Sequence, residues 1–189
     1  MRRRLAILTG SLLIGLLAYT VFAATVTQPD QSHTALTVTN LHSLSSSATA
    51  GWQSAVIDNR TTHALDYQVA VKLDMANTAP ANDEAIYVYI APAYYDGSNW
   101  LYNDSGTSTL PSGSEGTYTI DSDAGNLLLA QVIKYSTADQ VVQATFNLGP
   151  VLGYRMVDGF SIILVNYSGA ATAASGNFVH YKPIKGDVS

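Results

Sequence analysis

The sequence predicts an all-β protein, a single β-sandwich of jelly-roll type preceded by an N-terminal apolar helix. An uncharged run at residues 5–24 follows three arginines and has the length and character of that helix. Beyond residue 34 no helical period extends past two turns, and short alternating or β-branched runs recur between turn residues. Roughly ten such runs at intervals of about 8–15 residues are typical of a jelly roll or a related sandwich.

The N-terminal segment fits two roles. A cationic stub before an apolar run is the pattern of a signal peptide, and the small residues Ala23 and Ala24 would allow cleavage. About 20 apolar residues also suffice to cross a bilayer as a helix, with the arginines on the cytoplasmic side. Residues 1–24 are therefore predicted to be a signal peptide or a membrane anchor. Residues 25–34 are polar and contain one proline, which predicts a linker.

Composition narrows the class of protein. Apolar residues make up 47% of the 189 residues and charged residues only 12%, which argues against a disordered chain or a coiled coil. The chain has no cysteine, so it has neither a disulfide framework nor a thiolate nucleophile. Without the three leader arginines, six basic residues face fourteen acidic ones, a formal net charge of −8. Phosphate backbones repel such a domain, and we expect no nucleic-acid partner.

Residues 35–189 are predicted to form the sandwich. In residues 67–73 the odd positions are apolar, and in residues 86–90 aliphatic side chains alternate with Tyr87 and Tyr89, which places the two tyrosines on the face away from the core. Residues 127–130 and 162–165 are continuous apolar runs, which are typical of central strands. The predicted strands are residues 35–39, 52–58, 66–73, 85–92, 100–102, 117–120, 127–135, 141–148, 160–167 and 177–181.

One segment is a candidate metal site. Asp121, Asp123 and Asn126 lie in the run Asp-Ser-Asp-Ala-Gly-Asn and would supply the hard oxygen ligands that Ca²⁺ prefers. The glycine comes one position too early for an EF-hand loop, and no glutamate closes the run. The same residue types are expected in a turn between two strands, so both interpretations stay open. No cofactor is predicted.

No catalytic constellation stands out, and we predict that the protein is not an enzyme. The chain contains no Gly-x-Ser-x-Gly elbow, phosphate loop or dinucleotide fingerprint. The adjacent carboxylates Asp83 and Glu84 would point to opposite faces of a strand, so they could not flank one bond. The four histidines lack the spacing that brings two imidazoles to one metal ion.

Aromatic side chains are the one enriched feature. Rings on an exposed sheet or loop anchor protein interfaces or stack on sugar rings. They also cover the rim of a core, which is the alternative without a binding role. We predict a protein interface, with a glycan platform as the second binding role. Six aromatic residues fall within sixteen positions: Tyr87, Tyr89, Tyr94, Tyr95, Trp100 and Tyr102.

Several stretches of the chain resemble a family of small β-rich structural proteins of tailed-phage virions. The resemblance covers about residues 35–181 and implies a capsid decoration or fibre-like protein. Those relatives begin directly with the β-domain, whereas this chain carries an apolar leader, which suggests export or anchoring in a membrane. The stretches are residues 47–59 (SATAGWQSAVIDN), 65–73 (LDYQVAVKL), 80–89 (PANDEAIYVY), 126–129 (NLLL), 159–169 (GFSIILVNYSG) and 175–181 (SGNFVHY).

The expected function is therefore structural. The resemblance implies a virion protein, either a capsid decoration, a fibre-like protein or a membrane-anchored minor capsid component. Its expected partners are other virion proteins or copies of itself, bound through the tyrosine-rich sheet edge. The alternative is an exported carbohydrate-binding β-sandwich that uses Trp100 and the tyrosines as its platform. The expected location is the virion or, alternatively, the outside of the cell or its envelope.

Overall fold

The structure, a computed structural model, describes residues 26–27, 32–81, 85–102, 113–120 and 127–188. This part of the chain is all-β, with a 3₁₀ turn at Thr39–Leu41 and no α-helix, so the predicted class is confirmed. The predicted N-terminal helix lies outside the described residues. The strands are β1 (Val26–Thr27), β2 (Thr34–Ala35), β3 (Ala50–Gln53), β4 (Ile57–Asp58), β5 (Asp66–Asp74), β6 (Ala85–Tyr95), β7 (Trp100–Tyr102), β8 (Gly116–Thr119), β9 (Leu128–Lys134), β10 (Val141–Asn147), β11 (Gly159–Tyr167), β12 (Phe178–Ile184) and β13 (Asp187–Val188).

The strands belong to two compact units. One unit, within residues 30–185, contains β2 to β12. The other contains β1 and β13, which pair antiparallel with each other, Val26 opposite Val188. The sequence did not suggest either of these two short strands: residues 25–34 were assigned to a linker, and no strand was predicted after residue 181. The division into leader, linker and sandwich stays a prediction.

The larger unit is built from two antiparallel sheets. A four-stranded sheet has the order β10-β5-β12-β2. A seven-stranded sheet has the order β7-β6-β11-β3-β8, with β9 also pairing with β6 and β4 also pairing with β11. The long strand β11 therefore lies in the middle of its sheet, as its continuous apolar run predicts.

Both sheets contribute alternate side chains to one shared core. Strands that have one buried face bury every second side chain, and each fully buried aliphatic residue stabilises the fold by about 1.5–3 kcal/mol. Trp52 and Tyr67 fill the spaces between the aliphatic rows and are fully buried. The rows are Val69, Val71 and Leu73 on β5, Ile86, Val88 and Ile90 on β6, and Phe160, Ile162 and Leu164 on β11.

The first predicted strand is wrong over most of its length. Only Thr34–Ala35 is extended and paired, and the chain then turns at Thr39–Leu41. The turn is closed by the Val38 carbonyl, which accepts hydrogen bonds from the N–H groups of Leu41 and His42 at 3.1 and 3.3 Å. It also buries Leu41 completely. Burial of one leucine through a tight turn thus replaces the strand that the alternation predicted.

The second predicted strand, residues 52–58, is divided in two. β3 and β4 both pair with β11, and Ser54 lies between them. The Ser54 N–H donates to the Ile162 carbonyl at 2.8 Å, while the Ser54 hydroxyl accepts the Ile162 N–H at 2.9 Å. A side-chain oxygen therefore replaces a backbone carbonyl in the ladder, which interrupts the strand without leaving a buried donor unpaired.

A third correction concerns residues 127–135, which the apolar run predicted as a central strand. Within the described part of the chain β9 pairs only with β6, so it is an edge strand. It leaves Leu128 and Leu129 exposed. An apolar run cannot distinguish a strand buried between two neighbours from an edge strand whose apolar side chains remain available to a partner.

Hydrogen bonds and strand register bring several loops to one end of this unit, which we call the Leu65 end (residues 58–66, 94–101, 148–158 and 184–185). The Leu65 N–H donates to the Ile184 carbonyl at 2.8 Å, and the Gly149 N–H donates to the Asp66 carboxylate at 2.6 Å. Residues 32 and 33, directly before β2, also lie toward this end, because Thr34 is opposite Tyr181 in an antiparallel pair.

Candidate functional site

Strand β6 places its tyrosines as the alternation predicts. Ile86, Val88 and Ile90 point into the shared core and are buried, whereas Tyr87 and Tyr89 lie half-buried on the opposite face. The two phenol rings stack with their centroids 6.4 Å apart and their planes 26° from parallel. Burial raises the pKa of Tyr89. These rings are therefore held in place on the outer face of the seven-stranded sheet.

The two tyrosines belong to a larger apolar surface, which we call the tyrosine face. Ile163 and Val165 of β11 lie beside them and are buried, although they point away from the shared core. The Tyr102 and Ser161 hydroxyls are hydrogen-bonded at 2.9 Å, and burial raises the pKa of Tyr102. The other members are Ala91, Tyr118, Ile120 and Leu127.

The tyrosine face extends to the edge of the sheet. In the β6–β9 register, Leu129 is opposite Tyr89 and Val132 is opposite Tyr87. Leu129 is 52% exposed and Val132 is exposed as well. Cross-strand neighbours on one face lie about 5 Å apart, so the four side chains form one strip. Unlike the centre of the face, this strip ends at a strand whose outer edge has no partner among the described strands.

A groove of about 300 Å³ follows this edge, between β9 and β10. The two strands belong to different sheets and each pairs on one side only within the described residues. Their fourteen residues include one charge, Lys134, whereas edge strands are commonly protected by several charges. Val141 adds an exposed apolar side chain on the β10 side. We refer to Leu128, Leu129, Val132 and Val141 as the edge patch.

Two members of the predicted aromatic cluster are engaged in internal packing. The Tyr95 and Trp100 rings lie 5.2 Å apart, and the Arg60 guanidinium sits 3.5 Å from the Tyr95 centroid and 4.8 Å from the Trp100 centroid. The Arg60 guanidinium and backbone N–H also donate hydrogen bonds to the Asp58 carboxylate, which lowers the pKa of Asp58. The Trp100 ring covers Gly159 so closely that a Cβ there would lie 2.7 Å from the indole.

The sixth aromatic residue, Tyr94, is separate from the others. It is exposed at the Leu65 end, where its cross-strand neighbour Leu101 is exposed too. A tight turn joins the two strands: the Asp96 carboxylate accepts the Ser98 and Asn99 N–H groups, and Gly97 supplies a φ of +105°. The structure thus divides the predicted cluster into the tyrosine face, an arginine-stacked pair and one outlying residue.

Sequence reasoning missed the edge patch. The leucines and valines were assigned to ordinary strands, and the signal that could have identified them is the pairing of apolar runs with almost no charge on β9 and β10. The Ca²⁺ candidates Asp121, Asp123 and Asn126 lie outside the described residues, as do Asp83 and Glu84. The residues that the structure does describe include no group of three His, Asp or Glu side chains that could hold a metal ion.

Within the same residues, no helix is long and apolar enough to cross a membrane.

Residues 3–89 are similar to a protein family described as a protein of unknown function, DUF2673. The matching segment ends at Tyr89 and so includes the two stacked tyrosines but not β9 or β10. No curated protein matches the chain.

Proposed function

We propose that this chain is a virion-associated structural protein, without enzymatic activity, that binds other virion proteins or copies of itself. The observation that carries the proposal is the continuity of the tyrosine face with the edge patch. Tyr87, Tyr89, Leu129 and Val132 form one apolar strip that ends at an edge strand. Tyrosine and large aliphatic side chains in such a strip are typical of the centre of a protein interface.

The fold proposed for this role is a jelly-roll sandwich. Its support is the nesting of the antiparallel pairs: β2 with β12, β3 with β11, β5 with β10 and β6 with β9. Such nesting is what a long antiparallel ribbon produces when it wraps around a core. The pairs β5–β12 and β6–β11 then close two four-stranded sheets, and β4, β7 and β8 are additions. Jelly rolls are common in capsid and lectin domains.

Self-association is supported by the character of the two edge strands. An exposed apolar edge with few charges invites pairing with another chain, and natural proteins protect such an edge unless a partner covers it. The register shift between Val88 and Tyr89 disturbs β9, whereas β10 pairs with β5 over seven residues without a shift. A closed symmetric assembly would bury the edge patch in every copy.

The alternative, an exported carbohydrate-binding module, has less support from the geometry. A sugar-binding platform needs a free aromatic face, but the Trp100 indole contacts Arg60 and lies over Gly159. Tyr87 and Tyr89 are accessible, yet they stack on each other rather than presenting a pocket. For location, we propose the virion, with residues 1–24 as an anchor in a membrane that the virion contains or contacts.

The proposal is tested by comparing particles that carry variant chains. Full-length wild type should co-purify with virions in many copies, as counted by quantitative mass spectrometry. Leu129→Lys/Val132→Lys should lose most of that association, because it places two charges in the apolar strip. Thr145→Lys, on the exposed face of β10, is the matched control and should associate normally. Absence of the wild-type chain from particles, or equal retention of both variants, would overturn the proposal.

A further inference from the structure

The exposed large apolar side chains of the described residues fall into two groups. Four form the edge patch, and the other four lie at the Leu65 end. Leu65 itself is 67% exposed and Tyr154 is 80% exposed. Tyr94 and Leu101 project from the β6–β7 hairpin at the same end. The proposed virion interface accounts for the first group and leaves the second without a partner.

The loops that carry this second group of side chains are hydrogen-bonded to one another. The Asn59 N–H donates to the Asp158 carbonyl at 2.8 Å, and the Asp158 carboxylate accepts the Tyr95 N–H at 3.1 Å. Tyr154 has a φ of 59°, a conformation that bulky residues rarely adopt, and its N–H donates to the Gly149 carbonyl at 2.6 Å. Tyr154 is therefore held outward by a fixed turn, and such retained strain is common at binding sites.

The charges at this end differ from those of the chain as a whole. Of the six basic residues that follow the leader, four lie at or beside the Leu65 end: Arg60, Arg155, Lys182 and Lys185. Four carboxylates also lie there, Asp58 in an ion pair with Arg60 and Asp66, Asp96 and Asp158 accepting backbone N–H groups, so this end is close to neutral whereas the chain after the leader carries −8. Arg155 and Lys185 make no ion pair within the described residues. An acidic protein thus presents uncommitted cations beside exposed apolar side chains.

The path of the chain identifies the partner. Residues 32 and 33 enter β2 from the Leu65 end, and fewer than ten residues separate the uncharged run 5–24 from Thr34 in the sequence. An uncharged apolar run of that length is the length that crosses a bilayer. If it does so, residues 25–33 tether β2 to the membrane. Tyr and Leu favour the interfacial layer of a bilayer, and Arg and Lys favour anionic headgroups.

We propose that the Leu65 end docks on the surface of an anionic bilayer, with Leu65 and Tyr154 in the interfacial layer and Arg155 and Lys185 against lipid phosphates. This inference rests on the membrane-anchored form of the proposed function. It assigns a different binding partner to each of the two groups of exposed apolar side chains. The edge patch binds protein, and the Leu65 end binds lipid.

The absence of cysteine allows a direct test on the full chain. A single cysteine replaces Thr61, which is exposed in the turn before Leu65, and carries an environment-sensitive nitrobenzoxadiazole dye. The matched control is Thr145→Cys on the outer face of the four-stranded sheet. With phosphatidylcholine/phosphatidylglycerol vesicles, the dye at position 61 should shift to the blue and be quenched by brominated lipid. The dye at position 145 should do neither.

Quenching of the dye at position 61 decides whether the Leu65 end binds the bilayer. In the Leu65→Ser/Tyr154→Ser background, with an unchanged circular dichroism spectrum, quenching at position 61 should fall several-fold. In vesicles of phosphatidylcholine alone it should also be weaker, because the cationic contribution is lost. Equal signals at positions 61 and 145, or a position-61 shift that depends on protein concentration rather than on vesicles, would overturn the proposal. None of these results depends on the edge patch, so failure here is distinguishable from failure of the virion interface.

Discussion

The outer faces of the two sheets differ in chemistry although they belong to the same unit. The outer face of the seven-stranded sheet carries Tyr87, Tyr89, Ile163 and Val165, and much of it is buried without help from the shared core. The outer face of the four-stranded sheet is polar, and its one large ring, Phe178, lies 5.5 Å from the Lys72 ammonium. The polar side chains are Gln68, Lys72 and Asp74 on β5, Gln143, Thr145 and Asn147 on β10, and His180 and Lys182 on β12.

This difference is what the proposed protein interface is based on. A sheet that faces water on one side alternates apolar and polar residues, as the four-stranded sheet does. The seven-stranded sheet instead forms a second, smaller apolar cluster on its outer face, in which Ile163 and Val165 are buried and Tyr87 and Tyr89 are half-buried. The proposed protein interface uses the exposed edge of that cluster, where Leu129 and Val132 lie beside the two tyrosines. The two faces can therefore be tested against each other with matched substitutions.

The largest effect on stability is expected from a charge placed on the tyrosine face, and the same charge on the polar face of the four-stranded sheet is its control. Ile163→Asp should destabilise the protein by about 3–5 kcal/mol, because Ile163 is fully buried on the tyrosine face and the carboxylate would have no partner. Thr145→Asp on the polar face should change the free energy of unfolding by less than about 0.5 kcal/mol. Urea denaturation of both variants measures the contrast. Similar losses at the two positions would mean that the faces are not different in kind.

A smaller effect on stability is expected at Gly159, against which the Trp100 ring packs. Gly159→Ala would place a Cβ 2.7 Å from the Trp100 ring and should cost about 1–3 kcal/mol while changing the tryptophan emission. Gly116→Ala, in β8 of the same sheet, is the control, since the nearest atom to its Cβ would be 4.0 Å away. Thermal unfolding followed by fluorescence tests both. If Gly159→Ala is as stable as Gly116→Ala, then Trp100 is not packed on β11.

The smallest effect concerns the Asp58–Arg60 ion pair at the Leu65 end. Hydrogen bonding to Arg60 lowers the pKa of Asp58 from 3.8, so the pair stabilises the folded state above that pH and ceases to do so as the pH falls through the lowered value. The melting-temperature difference between wild type and Arg60→Gln should therefore be larger at pH 7 than at about pH 2. The melting-temperature difference that remains at low pH reflects the lost stacking of the Arg60 guanidinium on the Tyr95 ring. A difference that grows on acidification would contradict this assignment.

The sequence predicts the strands well and their places in the sheets poorly. Alternation in β5 and β6 identifies which side chains enter the core, because the side-chain period of a strand is fixed at two. The same reasoning failed for residues 127–135, since Leu128 and Leu129 are apolar whether a strand is central or at an edge. It failed for residues 52–58 because the Ser54 hydroxyl bond to Ile162 joins positions distant in sequence.

For the candidate site, too, the sequence identified side chains but not their places in the structure. Clustering of aromatic residues led to Tyr87 and Tyr89, which do lie on the outer face of the sheet. It could not separate them from Tyr95 and Trp100, whose packing depends on Arg60, a residue from another turn. Nor could it find the edge patch, because that surface arises only when β9 and β10 become the edges of two different sheets.

The central claim is that the edge patch and the adjoining tyrosine face bind protein. Sedimentation velocity of the full chain in a mild detergent tests it most directly, with wild type compared to Leu129→Lys/Val132→Lys and to Thr145→Lys. The account predicts that wild type and Thr145→Lys form the same oligomer and that the double variant sediments as a monomer. An oligomer of unchanged size in the double variant would contradict the account.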